Sequence, residues 1–174
     1  NYFYGSYKIN SIKQYPQEKI NFKIVSAKID MVNFKDEVNV ASKLIKYSDP
    51  NKKLKTVFIW PEGVFINKNF YKNTEIKKLF KNNFSENHLI IFGANTSKKI
   101  SSVDKYYNSM IVSNNNLEFI SKYDKKKLVP FGEFLPFESI LNTLGIKKIT
   151  TGYESFSRGD GNSLLKFNFN KKKI

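Results

Sequence analysis

The spacing of apolar residues along the chain predicts alternating strands and helices. From Phe22 the sequence alternates with a period of two, which predicts a strand with one apolar face. That face holds Val25, Ala27, Ile29 and Met31. Residues 56–60 are continuously apolar up to Pro61, a pattern typical of a strand buried on both faces of a sheet. Residues 89–94 have the same character and predict a third strand.

Two segments between these strands have helical spacing. Asp36 can cap a helix that ends near the turn at residues 48–50, and Thr74 can cap a second helix. Their apolar positions recur three, four or eight residues apart, as expected for one buried helix face. They are Val38, Ala41, Leu44 and Ile45 in the first helix and Ile76, Leu79, Phe80 and Phe84 in the second.

The second half of the chain predicts further strands. Residues 106–113 and 117–123 form a predicted hairpin around three asparagines, and residues 164–169 alternate like a strand. Residues 128–136 contain two prolines and a glycine, which exclude a regular helix or a central strand, and residues 137–144 predict a short helix. Residues 1–20 show no clear period and are interpreted as an irregular lead-in. The order of elements predicts a layered α/β domain.

Composition narrows the possible functions. The 174 residues are 40% hydrophobic and 16% aromatic, which predicts a packed globular body. The formal net charge is +15, but Arg158 is the single arginine among the 30 basic residues, and no basic stripe with interleaved aromatics is present. Nucleic-acid binding is therefore not expected. No run of roughly 18 to 20 apolar residues indicates a membrane span.

The sequence holds few residues for metal or redox chemistry. Cysteine is absent, which excludes disulfides and thiolate ligands within these residues. The single histidine, His88, directly precedes an apolar run and is interpreted as a residue at the start of a strand rather than a catalyst. No metal site and no cofactor are predicted.

Three segments place charged side chains where chemistry is common. Glu62 follows a buried strand behind a proline, and the carboxyl ends of strands are where open α/β sheets gather active sites. Lys125 follows another strand, where a fixed cation can stabilise a developing oxyanion. Glu133 is the one carboxylate in the rigid aromatic segment 130–136. Taken singly, each residue is also compatible with a structural or surface role.

Together these segments resemble a known family. Residues 60–62 (Trp-Pro-Glu), 123–125 (Tyr-Asp-Lys) and 128–136 (Leu-Val-Pro-Phe-Gly-Glu-Phe-Leu-Pro) resemble the nitrilase, or carbon–nitrogen hydrolase, superfamily. More narrowly, they resemble the catalytic domain of the apolipoprotein N-acyltransferase family, for which the 128–136 loop is the specific element. Supporting segments are 92–94 (Phe-Gly-Ala), 107–109 (Tyr-Asn-Ser) and 155–159 (Ser-Phe-Ser-Arg-Gly). The resemblance covers about residues 22–170.

The resemblance implies a fold and a set of site residues. The fold would be a nitrilase-like α-β-β-α sandwich, incomplete at its C-terminal side. Glu62 matches the general base, Lys125 the oxyanion-stabilising cation and Glu133 a second essential carboxylate of a Glu-Lys-Cys site. The nucleophilic cysteine is absent from these residues. Aromatic side chains around the loop would form a lipid-facing mouth and bind substrate: Phe131, Phe134 and Phe137.

The resemblance also implies a reaction. An acyl chain would pass from a phospholipid to a cysteine thioester and then to the N-terminal diacylglyceryl-cysteine of a lipoprotein, without a cofactor. The enzyme would lie in the bacterial inner membrane, attached through N-terminal helices that precede this chain, with the domain on the periplasmic side. Two alternatives remain open, a fragment of a soluble amidase of the same superfamily and a catalytically inactive binding or scaffold module.

The resemblance places this chain within a longer protein. Residues 1–20 would follow a membrane helix, and residues 21–174 would form a partial domain that ends before the strand carrying the cysteine. The family's Cys-Tyr-Glu motif is expected just past Ile174. Residues 152–154 (Gly-Tyr-Glu) are not that motif, because the segment 155–159 should precede it and instead follows. We therefore expect the chain to be inactive on its own.

Overall fold

The core of the structure is a five-stranded mixed sheet. The computed structural model describes residues 2–11, 19–29, 36–137, 140, 143, 145, 155–161, 165–169 and 172–173. The strands lie side by side in chain order: β1 (Asn21–Ile24), β2 (Thr56–Ile59), β3 (His88–Ile100), β4 (Val103–Ser113) and β5 (Phe119–Asp124). The first three run parallel, and β3, β4 and β5 form antiparallel hairpins. The carboxyl end of β2 pairs with Ile91, near the start of β3.

Two helices cover one face of the sheet: α2 (Glu37–Ser48) and α3 (Thr74–Asn83). As predicted, Asp36 caps α2, and its Oδ1 accepts a hydrogen bond of 2.9 Å from the Val38 N–H. The cap of α3 is Asn73, not Thr74 as predicted, since the Asn73 side chain accepts the free N–H groups of the first turn and leaves Thr74 as the first helical residue.

The predicted helical faces are buried against the sheet. Ala41, Leu44, Ile76 and Phe80 have no exposed surface. Within this layer the Trp60 indole N–H donates a 2.8 Å hydrogen bond to Ser48 Oγ, which in turn donates to the Leu44 carbonyl. A buried indole N–H thus has its acceptor on the neighbouring helix, which ties β2 to α2.

The opposite face of the sheet packs on a second, smaller sheet. Its strands, β6 (Asn168–Phe169) and β7 (Lys172–Lys173), pair antiparallel. The apolar cluster between the sheets consists of Val57, Leu89, Val112, Phe167 and Phe169. The order helix layer, sheet, sheet matches three layers of the predicted α-β-β-α sandwich, and the predicted α/β class is confirmed. The fourth layer, of helices, does not occur in the described part of the chain.

Some sequence interpretations differ from the structure. The irregular lead-in is wrong for Tyr2–Ser11, which form helix α1. Because its aromatic side chains Tyr2, Phe3, Tyr4 and Tyr7 are all exposed, no single apolar stripe marks it as a helix. The strand from Phe22 ends at Ile24, although the alternation continues: Val25 is buried, and Ala27 and Ile29 pack against the core.

Other predicted elements fall wholly or partly outside the described residues. Met31, residues 152–154 and Leu164 are not described, and the same holds for most of the predicted helix 137–144. The described end of the 164–169 strand keeps its alternation, because Phe167 and Phe169 are buried and Lys166 and Asn168 are exposed. Within the described ranges, no helix combines the length and the apolar composition that crossing a bilayer would require.

Candidate active site

Glu62 is positioned by a close backbone contact at the end of β2. The Trp60 N–H still pairs with Ile91 O at 2.8 Å, and the chain then turns at Pro61 and at Gly63, which has a positive φ of 68°. Gly93 of β3 lies directly against this turn, and a Cβ at position 93 would lie 2.6 Å from the Glu62 Cα. Only glycine allows the turn to approach β3 so closely.

The backbone of Lys125 is fixed by two hydrogen bonds, one through its N–H and one through its carbonyl. Its N–H donates to Asn108 O at 2.8 Å, and its carbonyl accepts the Gly159 N–H at 3.1 Å. The neighbouring Asp124 belongs to a separate cluster, in which it accepts hydrogen bonds from Ser109 Oγ (2.5 Å) and from Lys122 Nζ (3.0 Å). The end of β5 thus directs two adjacent, oppositely charged side chains to different partners.

Glu133 lies in a tight loop that fixes both its backbone and its carboxylate. The segment is neither helix nor central strand, as predicted, and Phe131 within it has a positive φ of 61°. The Glu133 N–H donates to Val129 O, and the Val129 N–H donates back to Glu133 Oε2, both at 2.8 Å. The Phe156 N–H donates to the Glu133 carbonyl at 2.8 Å, which joins the loop to the segment 155–161.

These three residues meet in one cluster. Lys125 Nζ lies 3.3 Å from Glu62 Oε1 and 3.0 Å from Glu133 Oε1. Asn108 Nδ2 lies 2.7 Å and 2.6 Å from the same two oxygen atoms. Asn108 was not among the site residues predicted from sequence, because an amide does not titrate. Its only signal was the Tyr-Asn-Ser segment 107–109, where it counted as support for the resemblance.

The two carboxylates have different surroundings. The Glu133 side chain is 15% exposed and that of Glu62 is 64% exposed. Burial would raise the pKa of Glu133, but hydrogen bonds from the Val129 N–H, Asn108 and Lys125 outweigh it and lower that pKa. Burial would lower the pKa of Lys125, but the hydrogen bond to Glu133 and the charge of Glu62 outweigh it and raise that pKa. At neutral pH Glu133 is therefore an anion and Lys125 a cation.

Glu62 retains an oxygen for proton transfer. Its Oε1 accepts from Lys125 and Asn108, whereas within the described residues its Oε2 accepts no hydrogen bond. In Glu133 both oxygens are engaged, Oε1 by Lys125 and Asn108 and Oε2 by the Val129 N–H. In this arrangement Glu62 can accept a proton, while Glu133 is held in place beside the Lys125 cation. Such a set of groups suits general-base catalysis with stabilisation of an oxyanion.

A cleft of about 610 Å³ opens at this cluster. Glu62, Asn108 and Lys125 lie in its wall, together with Lys126 and Lys127. The rest of the wall is mainly apolar and includes Ile59, Ile91, Phe92, Met110 and Tyr123. The cleft thus combines an apolar lining with one group of convergent polar side chains, as small-molecule sites do.

The three predicted substrate-binding phenylalanines differ in exposure. Phe131 is 42% exposed and Phe137 is 79% exposed. Phe134 is less exposed than either of them and is half-buried. The Arg158 guanidinium lies 5.6 Å from its ring centre, a cation–π contact that joins the loop to the segment 155–161. Phe131 and Phe137 therefore offer apolar surface to a ligand, whereas Phe134 is committed in part to an internal contact.

His88 has a structural environment, in agreement with its interpretation as a residue at the start of a strand. It is the first residue of β3 and is buried; its Nδ1 accepts the Ser85 N–H at 3.2 Å, and its Nε2 lies 2.9 Å from Asn51 O. Burial lowers the pKa of this imidazole. In the described ranges, no group of three or more His, Asp or Glu side chains is arranged to hold a metal ion.

Comparisons with known proteins give consistent relatives. The chain is 29% identical over 176 residues to an apolipoprotein N-acyltransferase of Wigglesworthia glossinidia brevipalpis, covering 95% of this chain and 34% of the relative. It is 26% identical over 173 residues to that of Allorhizobium ampelinum (93% and 32%) and 28% identical over 109 residues to that of Caulobacter vibrioides (59% and 21%). The chain thus spans about a fifth to a third of the length of these curated relatives. No family model matches the chain.

Two solved structures are similar to the chain at low sequence identity. The chain is similar to a glutamine-dependent NAD+ synthetase from Acinetobacter baumannii, with a TM-score of 0.48, 17% identity, and coverage of 87% of this chain and 26% of that one. It is also similar to Saccharomyces cerevisiae Nit3, a member of branch 10 of the nitrilase superfamily, with a TM-score of 0.45, 17% identity, and coverage of 88% and 53%.

Proposed function

We propose that the chain is a member of the apolipoprotein N-acyltransferase family, to whose members it is similar over most of its length, and that its Glu62–Lys125–Glu133 cluster serves acyl transfer from a phospholipid to a lipoprotein. The nucleophile in this proposal is a cysteine thiol. The 174 residues contain no cysteine, and the proposal places this thiol in another part of the complete protein. The membrane attachment and the periplasmic location of the domain are parts of the same proposal.

In the first half-reaction the thiol attacks the ester carbonyl carbon of the phospholipid. Glu62 Oε2 takes the thiol proton, and the carbonyl oxygen becomes an oxyanion that the Lys125 ammonium stabilises. The intermediate then breaks its bond to the glycerol oxygen, which leaves with the proton held on Glu62. The products of this step are a lysophospholipid and an acyl thioester on the enzyme.

In the second half-reaction the α-amino group of the diacylglyceryl-cysteine attacks the thioester carbonyl. Glu62 accepts a proton from the amine, and Lys125 again stabilises the oxyanion. Cleavage of the carbon–sulfur bond releases the N-acylated lipoprotein, and the thiolate regains a proton. Glu133 stays ionised throughout and holds the Lys125 ammonium in place.

The observation that carries this proposal is the unequal engagement of the two carboxylates around Lys125. Glu133 is fixed through both oxygens, whereas Glu62 is exposed in the cleft and has Oε2 available for a proton. The apolar cleft wall and the exposed rings of Phe131 and Phe137 support a substrate with acyl chains.

The test is the formation of the acyl-enzyme in the complete protein, measured by mass spectrometry after incubation with a phospholipid. We expect Glu62→Gln and Lys125→Ala each to reduce the rate of thioester formation by at least about 100-fold, since one removes the base and the other the cation. Lys127→Ala is the matched control, because Lys127 lies two residues away, also lines the cleft and, among the described residues, pairs with no carboxylate.

Two results would contradict the proposal. A normal rate of acyl-enzyme formation in Glu62→Gln or Lys125→Ala, with the unfolding temperature unchanged, would remove the roles assigned to these residues. Hydrolysis of small amides by the complete protein, with no transfer from phospholipid, would instead favour a soluble amidase of the same superfamily.

A further inference from the structure

The side-chain amide of Asn108 closes a ring of polar contacts at the candidate site. Its Nδ2 lies 2.7 Å from Glu62 Oε1 and 2.6 Å from Glu133 Oε1, and Lys125 Nζ contacts the same two oxygens. Each of these carboxylate oxygens therefore accepts one hydrogen bond from an ammonium and one from an amide. The two N–H bonds of the Asn108 amide are both used, one for each carboxylate.

Asn108 is also connected to the site through its backbone. Its carbonyl accepts the Lys125 N–H at 2.8 Å, so this residue contacts all three charged members of the cluster. Asn108 lies within β4 and is paired in register with Asn95 of β3. The amide is therefore presented from a central strand, where its position is set by strand pairing rather than by a loop.

The charge of the cluster explains why a neutral donor suits this position. Two carboxylates and one ammonium carry a net charge of −1, so Lys125 alone leaves one negative charge uncompensated. A second cation would stabilise the anions but would also oppose the transfer of a proton to Glu62. An amide brings the carboxylates together and donates to both without adding a positive charge.

We propose that Asn108 is a positioning residue that holds the Glu62 and Glu133 carboxylates at their contacts with Lys125. Its effect on acyl transfer rests on the function proposed above, whereas its effect on the titration of Glu133 does not. An acceptor in place of the amide would set three negative groups around a single ammonium. Asn108→Asp, although nearly identical in shape, should therefore be more harmful than Asn108→Ala.

The first experiment measures ionisation in the 174-residue chain. NMR titration of ¹³C-labelled glutamate carboxyl groups follows Glu133 in the wild type and in Asn108→Ala, Asn108→Asp and Asn95→Ala. We expect the Glu133 carboxyl to titrate at higher pH in Asn108→Ala than in the wild type, and at higher pH again in Asn108→Asp. Asn95→Ala is the matched control, because it alters the paired residue on β3, whose amide donates to Ile66 O and not to a carboxylate.

The second experiment measures transfer by the complete protein. We expect Asn108→Ala to lower kcat/KM by about 100-fold, as a misplaced reacting group does, and Asn108→Asp to lower it further and to move the pH profile of the rate. If Asn108 had a purely structural role, Asn108→Asp would instead retain a higher kcat/KM than Asn108→Ala, because aspartate conserves the shape of asparagine.

The outcomes separate the two proposals. If Glu133 titrates at the same pH in the wild type and in a folded Asn108→Ala, the positioning role is wrong, and this test remains valid even where Asn108→Asp fails to fold. If the titration changes as expected but the wild-type complete protein forms no acyl-enzyme, the positioning role is supported and the proposed function is wrong.

Discussion

Replacing Gly93 with alanine should displace Glu62 without changing any charged group of the site. The added Cβ would lie 2.6 Å from the Glu62 Cα and 2.7 Å from the Gly63 N. Both are backbone atoms, so neither can rotate away as the end of a flexible side chain can. Because ordinary contact begins at about 3.4 Å, β3 and the Glu62 turn must separate by about 0.8 Å.

The size of the effect follows from this separation. Overpacking of a well-packed region costs about 1 to 3 kcal/mol of unfolding free energy. For a chain of this length each kcal/mol corresponds to about 2 to 4 °C, so the unfolding temperature should fall by about 2 to 12 °C. A carboxylate that moves with its backbone would also stretch the 3.3 Å contact between Glu62 and Lys125 beyond hydrogen-bond range.

The assay is thermal unfolding of the 174-residue chain, followed by circular dichroism, together with NMR titration of the Lys125 ammonium, whose pKa the charge of Glu62 helps to raise. Two matched glycine variants separate the close contact from the general effect of adding a methyl group. A Cβ at Gly161 would meet no atom within 4 Å, and one at Gly132, inside the site loop, would meet Val129 at an ordinary 3.5 Å. Gly161→Ala and Gly132→Ala should both unfold near the wild-type temperature.

The opposite outcome would be a Gly93→Ala variant that unfolds within about 1 °C of Gly161→Ala and leaves the titration of Lys125 unchanged. Such a result would mean that the turn at Glu62 does not approach β3 as closely as described, and that Gly93 is not needed to position Glu62.

Two further predictions concern stability. Ser48→Ala removes the acceptor of the buried Trp60 N–H, so the free energy of unfolding measured in urea should fall by about 1 to 3 kcal/mol. A decrease below about 0.5 kcal/mol would mean that the indole N–H finds another acceptor. Because the folded-state pKa of Glu133 is lowered, its ionised form contributes stability fully above the unfolded pKa, about 4.3, and this contribution is lost as the pH falls through the folded value. The difference in unfolding temperature between the wild type and Glu133→Gln should therefore be larger at neutral pH than below about pH 4, and a constant difference would contradict the ion-pair description.

Much of the fold could be predicted because apolar spacing is a local signal. The faces of α2 and α3, the strand β2 and the β4–β5 hairpin all appear where their periodicity indicated. Helix α1 escaped prediction because its exposed aromatic side chains produce no apolar stripe. The predicted cap of α3 was wrong by one residue, because Asn73 and Thr74 are both good cap residues and only the backbone geometry selects between them.

The candidate site was predictable in its charged residues and not in its geometry. Position in the chain leaves Glu62, Lys125 and Glu133 each compatible with a structural role, and the resemblance of their three segments to one family is what singles them out. The loop that carries Glu133 includes a positive φ at Phe131, and phenylalanine gives no sequence signal for that conformation. Asn108 was overlooked because its importance comes from strand register, which places a neutral amide between two carboxylates that are 71 residues apart in the chain, at positions 62 and 133.

The adjacent opposite charges at the end of β5 also act on folding. A slip of β5 by one residue against β4 can bring Asp124 to the place that Lys125 now occupies. The aspartate would then join Glu62 and Glu133 as a third carboxylate, and the lysine would move out of the cluster. Three carboxylates without a cation between them repel one another, so the charges at the end of β5 also favour the observed pairing of the strands.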